Sequence, residues 1–296
     1  MSKKYLPTLK PLCIYHGNCA DGFGAAWVVW KYFQGDVDLY AGVYQEPPPD
    51  VGGRDVIIVD FSYKLPVMQD VFDRCNTLLW LDHHKSAIEG TETWLKALNC
   101  LDETRLRVML DESRSGAMLV WDHFFPGRAA PKLLQHIQDR DLWQFKLAGT
   151  EDIQAGLFSY PYDMPIWDKL MDVENENDGT VGLSVQTLLE DGKAITRKHK
   201  KDIVELLKVT GRRMKIGGYD VPVANLPYTM SSDAGHIMGV GEPFAACYYD
   251  TPAGRCFSLR SAPDGVDVSQ IAKGFGGGGH KHAAGFRVVL GWEGDA

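Results

Sequence analysis

Short apolar runs alternate with longer amphipathic stretches throughout the first half of the chain, and this alternation narrows the possible architectures to very few. PLCIYHG reads as a buried strand, and DGFGAAWVVWKYFQG, directly after it, as a helix closed by Gly35. DLYAGVY and DVIIVDFS read as further strands, PVMQDVFDRC as a short helix and NTLLWLDHH as a strand. RVMLDE precedes SGAMLVWDHFF, a helix with small residues at its start. PKLLQHIQDRDLWQF is another helix, with Pro131 suited to its first turn. Strands that alternate with helices predict an α/β fold with a doubly wound, mainly parallel sheet covered on both faces. Ligands bind such sheets at the carboxyl ends of the strands.

The pattern changes in the second half. Residues 175–182 are polar and contain glycine, as a loop would. Residues 183–214 read as one long helix, interrupted near Asp191-Gly192 and carrying the basic cluster Arg197, Lys198, Lys200 and Lys201, best taken as a solvated face. YDVPVANLP, FAACYYD and CFSLRSA follow as strands, DVSQIAKGF as a short helix, GGGGHKHAAG as a glycine-rich loop and FRVVLGW as a closing strand. The expected organisation is an N-terminal α/β domain over 1–185, a helical linker over 186–214 and a smaller α/β domain over 215–296.

Composition removes some function classes. The formal charge is −8, which argues against a protein that coats long nucleic acid with a broad basic face. It leaves room for a small substrate held in a pocket and for carboxylates gathered around metal ions. No apolar run reaches transmembrane length, and no apolar segment follows the basic start in the manner of a signal peptide. Six cysteines form no C-x-x-C pair, so thiols in a reducing cytoplasm fit better than disulfides.

The ionisable residues fall where the chemistry would be. His16 and Asp21 flank the loop HGNCADG after the first strand. Asp60 follows VIIV; Asp82, His83 and His84 follow LLWL; Asp139 and Asp141 lie in HIQDRDLW. A lone aspartate after an apolar strand is more often a cap or loop residue. Four such groups on alternating elements carry more weight than any one. Carboxylates and imidazoles are ligands for Mn²⁺, Mg²⁺, Zn²⁺ or Fe²⁺, and two ions roughly 3.5–4 Å apart can activate water and stabilise a leaving oxygen.

HGNCADG, VDFS, LDHHKSA and QDRDLW, followed by FGGGGHKHAAGF, resemble the DHH phosphoesterase superfamily with its C-terminal DHHA1 domain, nearest to its oligoribonuclease (nanoRNase B-like) branch. The resemblance spans nearly the whole chain. It implies a DHH domain joined by a helical linker to a DHHA1 domain. It implies two Mn²⁺ ions, with Mg²⁺ as the alternative, and a two-metal hydrolysis of short oligonucleotides to nucleoside 5′-monophosphates. His16 would bind one metal and Asp21 the other, Asp60 would bridge them, and His83 and Asp139 would complete the set, with Asp141 as the alternative to Asp139. His84 would face the scissile phosphate and Asp82 would orient the site. Cys19 stands where many relatives carry a first carboxylate, either as a soft ligand or as a small buried filler. Arg260, Gly277, Gly278, Gly279 and His280 would hold the substrate. Expected partners are a short single-stranded RNA or DNA or a small nucleotide, and no membrane; a homodimer is compatible with this. Competing functions are a cyclic-nucleotide or nucleotide-bisphosphate phosphohydrolase and a non-catalytic nucleotide-binding module.

Overall fold

A computed structural model describes residues 9–88, 91–97, 104–171 and 184–295; the expected polar loop at 175–182 lies outside them. The chain divides into two compact units, Met1–Ile195 and Thr196–Ala296.

The first unit is built from β1 (Leu12–His16), α1 (Ala20–Tyr32), β2 (Asp38–Gly42), β3 (Asp55–Val59), α2 (Leu65–Arg74), β4 (Thr77–Asp82), α3 (Lys85–Ile88), α4 (Thr91–Ala97), β5 (Leu106–Leu110), α5 (Gly116–Phe124), α6 (Lys132–Asp141), α7 (Thr150–Leu157) and α8 (Met164–Met171). The five strands form one sheet in the order β2-β1-β3-β4-β5, parallel at every pairing. Strand side chains alternate between the two faces, and the cores follow that alternation. Leu12, Ile14, Val56, Ile58, Leu78 and Trp80 pack on one face with Met68, Val71 and Phe72 of α2. Cys13, Ile57, Val59 and Leu81 pack on the other with α1, α5, α6, α7 and α8. Burying one large apolar side chain stabilises by roughly 1.5–3 kcal/mol, so a one-residue slip of any central strand would forfeit several such terms. The strand order reverses direction between β1 and β3, which opens a crevice at their carboxyl ends.

The long helix α9 (Val185–Thr210) is continuous; it shows no interruption at Gly192. A Cβ on Gly192 would lie 1.7 Å from the Asp152 carbonyl oxygen, and one on Gly156 2.2 Å from that of Leu188. These glycines therefore let α7 and α9 pack closely. The helix also stops earlier than expected: Gly211–Ile216 is strand β6, paired antiparallel with β7 (Tyr219–Asn225).

The second unit adds α10 (Ser231–Met238), β8 (Ala245–Thr251), β9 (Gly254–Arg260), α11 (Val268–Gly274), β10 (Gly278–His280) and β11 (Ala283–Val288). Its sheet runs β10-β11-β9-β8-β7-β6, and only the β7–β8 pairing is parallel. Val268 and Ala272 of α11 pack on one face. Ala234 of α10 and Ile203 of α9 pack on the other, against Ala224 and Cys247.

Candidate metal centre

The chain leaves β1 at His16 and turns sharply into α1. Gly17 donates its amide to the Gly42 carbonyl at 2.9 Å, and Asn18 takes a left-handed φ of 57°. A Cβ on Gly22 would stand 2.3 Å from the His16 carbonyl oxygen, so only glycine lets the helix begin this close to the strand end. The turn buries Asp21. Its Oδ2 accepts from the Gly116 amide at 2.5 Å and its Oδ1 from the Ala117 amide at 3.1 Å. These are unpaired donors of the first turn of α5, a favourable place for a carboxylate. Ser115 caps the same helix, accepting from the Met118 amide.

Asp60 follows β3 with φ 51°, in the left-handed region that aspartate tolerates better than most residues. Its amide donates to the Leu81 carbonyl at 2.9 Å, which tethers it to β4. Next door, Asp82 Oδ1 accepts from the His83 amide at 2.7 Å and the His84 amide at 3.2 Å, and sits 2.7 Å from His84 Nδ1. The Ser62 hydroxyl donates to Asp82 Oδ2. Asp82 is thus occupied in holding its neighbours.

Two sets of ligand atoms result within the first unit. His16, Asp60 and His84 form one, and Asp21, His83 and Asp141 the other, with each set's atoms within 4.8 Å of one another. Asp60 lies between them. Its Oδ2 is 3.6 Å from His16 Nδ1, and its Oδ1 is 3.0 Å from His83 Nε2 and 3.9 Å from His84 Nδ1. His83 Nε2 is 3.5 Å from Asp21 Oδ2 and 3.6 Å from Asp141 Oδ2.

Burial dominates the electrostatics. It pushes the Asp21 and Asp141 carboxyls up, and the Asp60 charge adds to the effect. Burial would raise Asp60 too, but the His16 and His83 rings outweigh it and hold that carboxyl far below its usual range. Burial opposes protonation of His16 and His83; the carboxylates around them, with the Cys19 thiol beside His16, reverse that and raise both. Both oxygens of Asp60, His16 Nδ1 and Asp141 Oδ2 are buried and accept or donate no hydrogen bond. Buried polar atoms normally find partners. Oxygen and imidazole donors left in this state fit divalent cations such as Mn²⁺ or Mg²⁺.

Asp139 stands apart from both ligand sets. Its Oδ1 accepts from the Lys146 amide at 2.8 Å; its Oδ2 accepts from the Leu147 amide at 3.0 Å and the Thr150 hydroxyl at 2.6 Å. Both oxygens are committed to the loop after α6, and Asp141 is the residue of that pair in the cluster. Cys19 belongs to neither ligand set. It occupies the N-cap position of α1, half-buried.

In the second unit, Gly278–His280 is a strand, where a loop was expected. His280 and Arg260 both register with Ala283, from opposite sides. Arg260 donates to the Leu259 carbonyl and the Ser232 hydroxyl, each at 2.8 Å. A Cβ on Gly277 would lie 2.0 Å from the Gly285 carbonyl oxygen, and Gly279 has φ 139°. These glycines are required by the sheet edge itself.

No protein-family model matches the chain. An uncharacterised protein of Acanthamoeba polyphaga mimivirus is 31% identical over 296 positions, 92% of this chain; the chain spans 66% of that relative's length. Among solved structures, the DHH domain of a member of the s1p family of ribosomal proteins superposes with a TM-score of 0.55 at 12% identity, over 95% of this chain and 83% of that one. The fold is that of the DHH proteins. RecJ from Thermus thermophilus, in complex with Mn²⁺, also matches, with a TM-score of 0.45 and 13% identity over 95% of this chain and 50% of that one.

Two features of this DHH fold escaped the sequence analysis. A Cβ on Gly116 would come within 2.5 Å of the Asp60 Cβ, so the small residue at the start of α5 makes room for the central carboxylate. Tyr44, 43% exposed, sets its ring 5.1 Å from that of His16 and 4.9 Å from that of Phe61. Ser-Gly before an apolar helix was a usable signal for the first; nothing in the sequence marked the second.

Proposed function

We propose that the chain is a metal-dependent phosphodiesterase that hydrolyses short single-stranded oligonucleotides to nucleoside 5′-monophosphates. The observation that carries this is Asp60, a buried carboxylate with one oxygen toward each of two nitrogen–oxygen ligand sets and no hydrogen bond to either oxygen. Bound divalent ions, Mn²⁺ by preference and Mg²⁺ as the alternative, would supply Lewis-acid stabilisation and an activated water.

The chain's own residues divide the remaining work. His16 and Asp60 would hold one ion; Asp21, Asp60, His83 and Asp141 would hold the other. The α5 amides fix Asp21 on its inner side. His84, anchored through Nδ1 on Asp82, is the ring that contacts the substrate phosphate, and Asp82 is the residue that aims it. Arg260, Gly277, Gly278, Gly279 and His280 of the second unit supply the substrate grip. The short-substrate preference rests on the resemblance to the oligoribonuclease branch and on the net charge of −8. No helix among the described residues is long and apolar enough to cross a membrane.

The test is purified protein with Mn²⁺ against RNA and DNA oligomers, cyclic dinucleotides, cyclic mononucleotides, 3′,5′-bisphosphates and polyphosphate. The expected result is release of nucleoside 5′-monophosphates from the short oligomers, abolished by a chelator. Turnover confined to cyclic mononucleotides or bisphosphates would replace the substrate class, and no turnover of any phosphoester would leave a nucleotide-binding module.

A further inference from the structure

The turn that follows Asp141 holds two aromatic residues in a backbone conformation that bulky side chains avoid. Trp143 has φ 54° and Phe145 φ 48°. Such outliers persist only where the surroundings impose them, and they cluster at functional sites. Asp139 imposes them here. Four consecutive amides converge on this one residue: Gln144 and Phe145 donate to its carbonyl at 2.8 and 3.3 Å, and Lys146 and Leu147 to its carboxylate. What the strain gains is not burial, since Phe145 remains 39% exposed.

It gains an array of rings. Phe145 and Trp143 meet edge to face with centroids 4.9 Å apart. The Arg140 guanidinium lies over the Trp143 ring at 5.9 Å and over the Phe158 ring at 4.8 Å. Phe158 is 47% exposed. Arg140 makes no ion pair with a carboxylate among the described residues. The order is ring, ring, cation, ring, partly open to solvent, starting two residues beyond a member of the metal cluster. Exposed rings interleaved with a cation suit single-stranded nucleic acid: every base can stack on a ring, and the cation can meet a backbone phosphate.

We infer that Phe145, Trp143, Arg140 and Phe158 form a stacking surface for the bases of a single-stranded oligonucleotide, with Asp139 as its positioning residue. The inference rests on the proposed phosphodiesterase reading and extends it: the first unit itself grips nucleotides beyond the scissile bond. Base stacking of this kind changes affinity by roughly tenfold per base.

The experiment measures binding of a fluorescein-labelled phosphorothioate hexamer, as oligothymidylate and as oligouridylate, to the full chain with Mn²⁺. Turnover of the matching phosphodiester hexamers is followed in parallel. Phe158→Leu and Phe145→Gly are each expected to weaken binding by about tenfold, and Phe158→Tyr to retain it. Phe145→Gly separates function from structure, because glycine adopts the left-handed conformation without strain. Its Tm should hold or rise while affinity falls. Wild-type-like affinity in both Phe158→Leu and Phe145→Gly overturns the inference, as does a wild-type chain that binds neither hexamer. A wild type that hydrolyses the hexamers while the variants bind normally removes the stacking surface and leaves the phosphodiesterase reading intact. A wild type that binds, is weakened by both variants and hydrolyses nothing does the reverse.

Discussion

The two units treat their carboxylates in opposite ways. In the second, Arg255 donates from Nε to Asp250 Oδ1 at 2.7 Å and from Nη2 to Oδ2 at 3.0 Å, while Nη1 meets Glu293 at 2.8 Å. Arg213 serves Asp220 and Glu242 in the same manner. Each of these carboxylates has a permanent cation supplied by the chain, and Asp250 and Glu293 also retain access to water. In the first unit, Asp21 and Asp60 are 2% and 1% exposed, and the only cationic side chains within ion-pair distance of them, among the described residues, are histidines. Burying carboxylates without a permanent cation costs several kcal/mol. The second arrangement is complete as it stands; the first becomes so when a cation arrives from outside.

The strongest way to break that contrast is to remove the shared carboxylate. Asp60→Asn keeps the shape and one oxygen but loses the charge. Turnover should fall by at least about a hundredfold, since a metal's contribution to the transition state is several kcal/mol. Stability in denaturant unfolding without metal should fall by up to about 3 kcal/mol, because the buried His16 and His83 rings lose the carboxylate that supports their charge. Near-normal rates with metal still bound would remove Asp60 from the centre. Metal binding should also displace protons. Asp21 and Asp141 are raised by burial, and His16 and His83 by their carboxylate neighbours, so these groups hold protons that a cation must expel. Apparent Mn²⁺ affinity should therefore rise with pH through the neutral range. Titration calorimetry in buffers of different ionisation enthalpy reads the released protons directly; identical heats in both would contradict it.

Gly116→Ala is the next step down. Its Cβ would meet Asp60 at 2.5 Å, and Asp60 is already held in a left-handed conformation. The crowding should cost about 1–3 kcal/mol of stability and reduce metal affinity. Asp82→Asn should lower kcat by roughly 10–100-fold with little change in Tm, the usual effect of loosening a residue that orients a site. In the second unit, Arg255→Ala should cost about 1–2 kcal/mol in denaturant unfolding, for a charge-assisted pair with a half-exposed partner. It should leave Mn²⁺ affinity alone, and a metal-binding defect there would erase the distinction between the units.

Much of this was legible in the residues. The three central strands β1, β3 and β4 each announced themselves as an apolar run leading to a polar group, because a central parallel strand has no solvent-facing side. The choice between Asp139 and Asp141 was harder, because the rotation of α6 is set by packing. A signal existed: Leu134, Ile137 and Asp141 are spaced by three and four, so Asp141 continues the apolar stripe of the helix. The resemblance alone points to Asp139, whose partners in the structure come from a loop with no motif. The first four residues of β6 fall in the stretch read as helix because GRRM continues the basic pattern before it; the strand's identity comes from pairing with β7. Gly192 looked like a helix break, and only the Asp152 carbonyl opposite explains it.

The smallest effect is expected at Cys19, and it tests whether the first unit needs any ligand beyond its carboxylates and imidazoles. The resemblance to DHH proteins would put a carboxylate at this position, which makes a thiol ligand an attractive idea. The geometry does not favour it. Cys19 belongs to neither ligand set, and its backbone, at φ −130° and ψ 136°, is that of a residue opening a helix. Its thiol lies beside the His16 ring. Serine is nearly the same size, a far poorer ligand for soft ions, and a better N-cap than cysteine. Cys19→Ser should therefore leave metal content and the Mn²⁺-to-Mg²⁺ activity ratio unchanged, and shift stability by no more than about 0.5 kcal/mol. Atomic absorption on the purified variant and metal-dependence curves for turnover measure both quantities. A drop in bound metal, or a new preference for the harder ion, would make the thiol a ligand and show that oxygen and nitrogen donors alone do not complete the site.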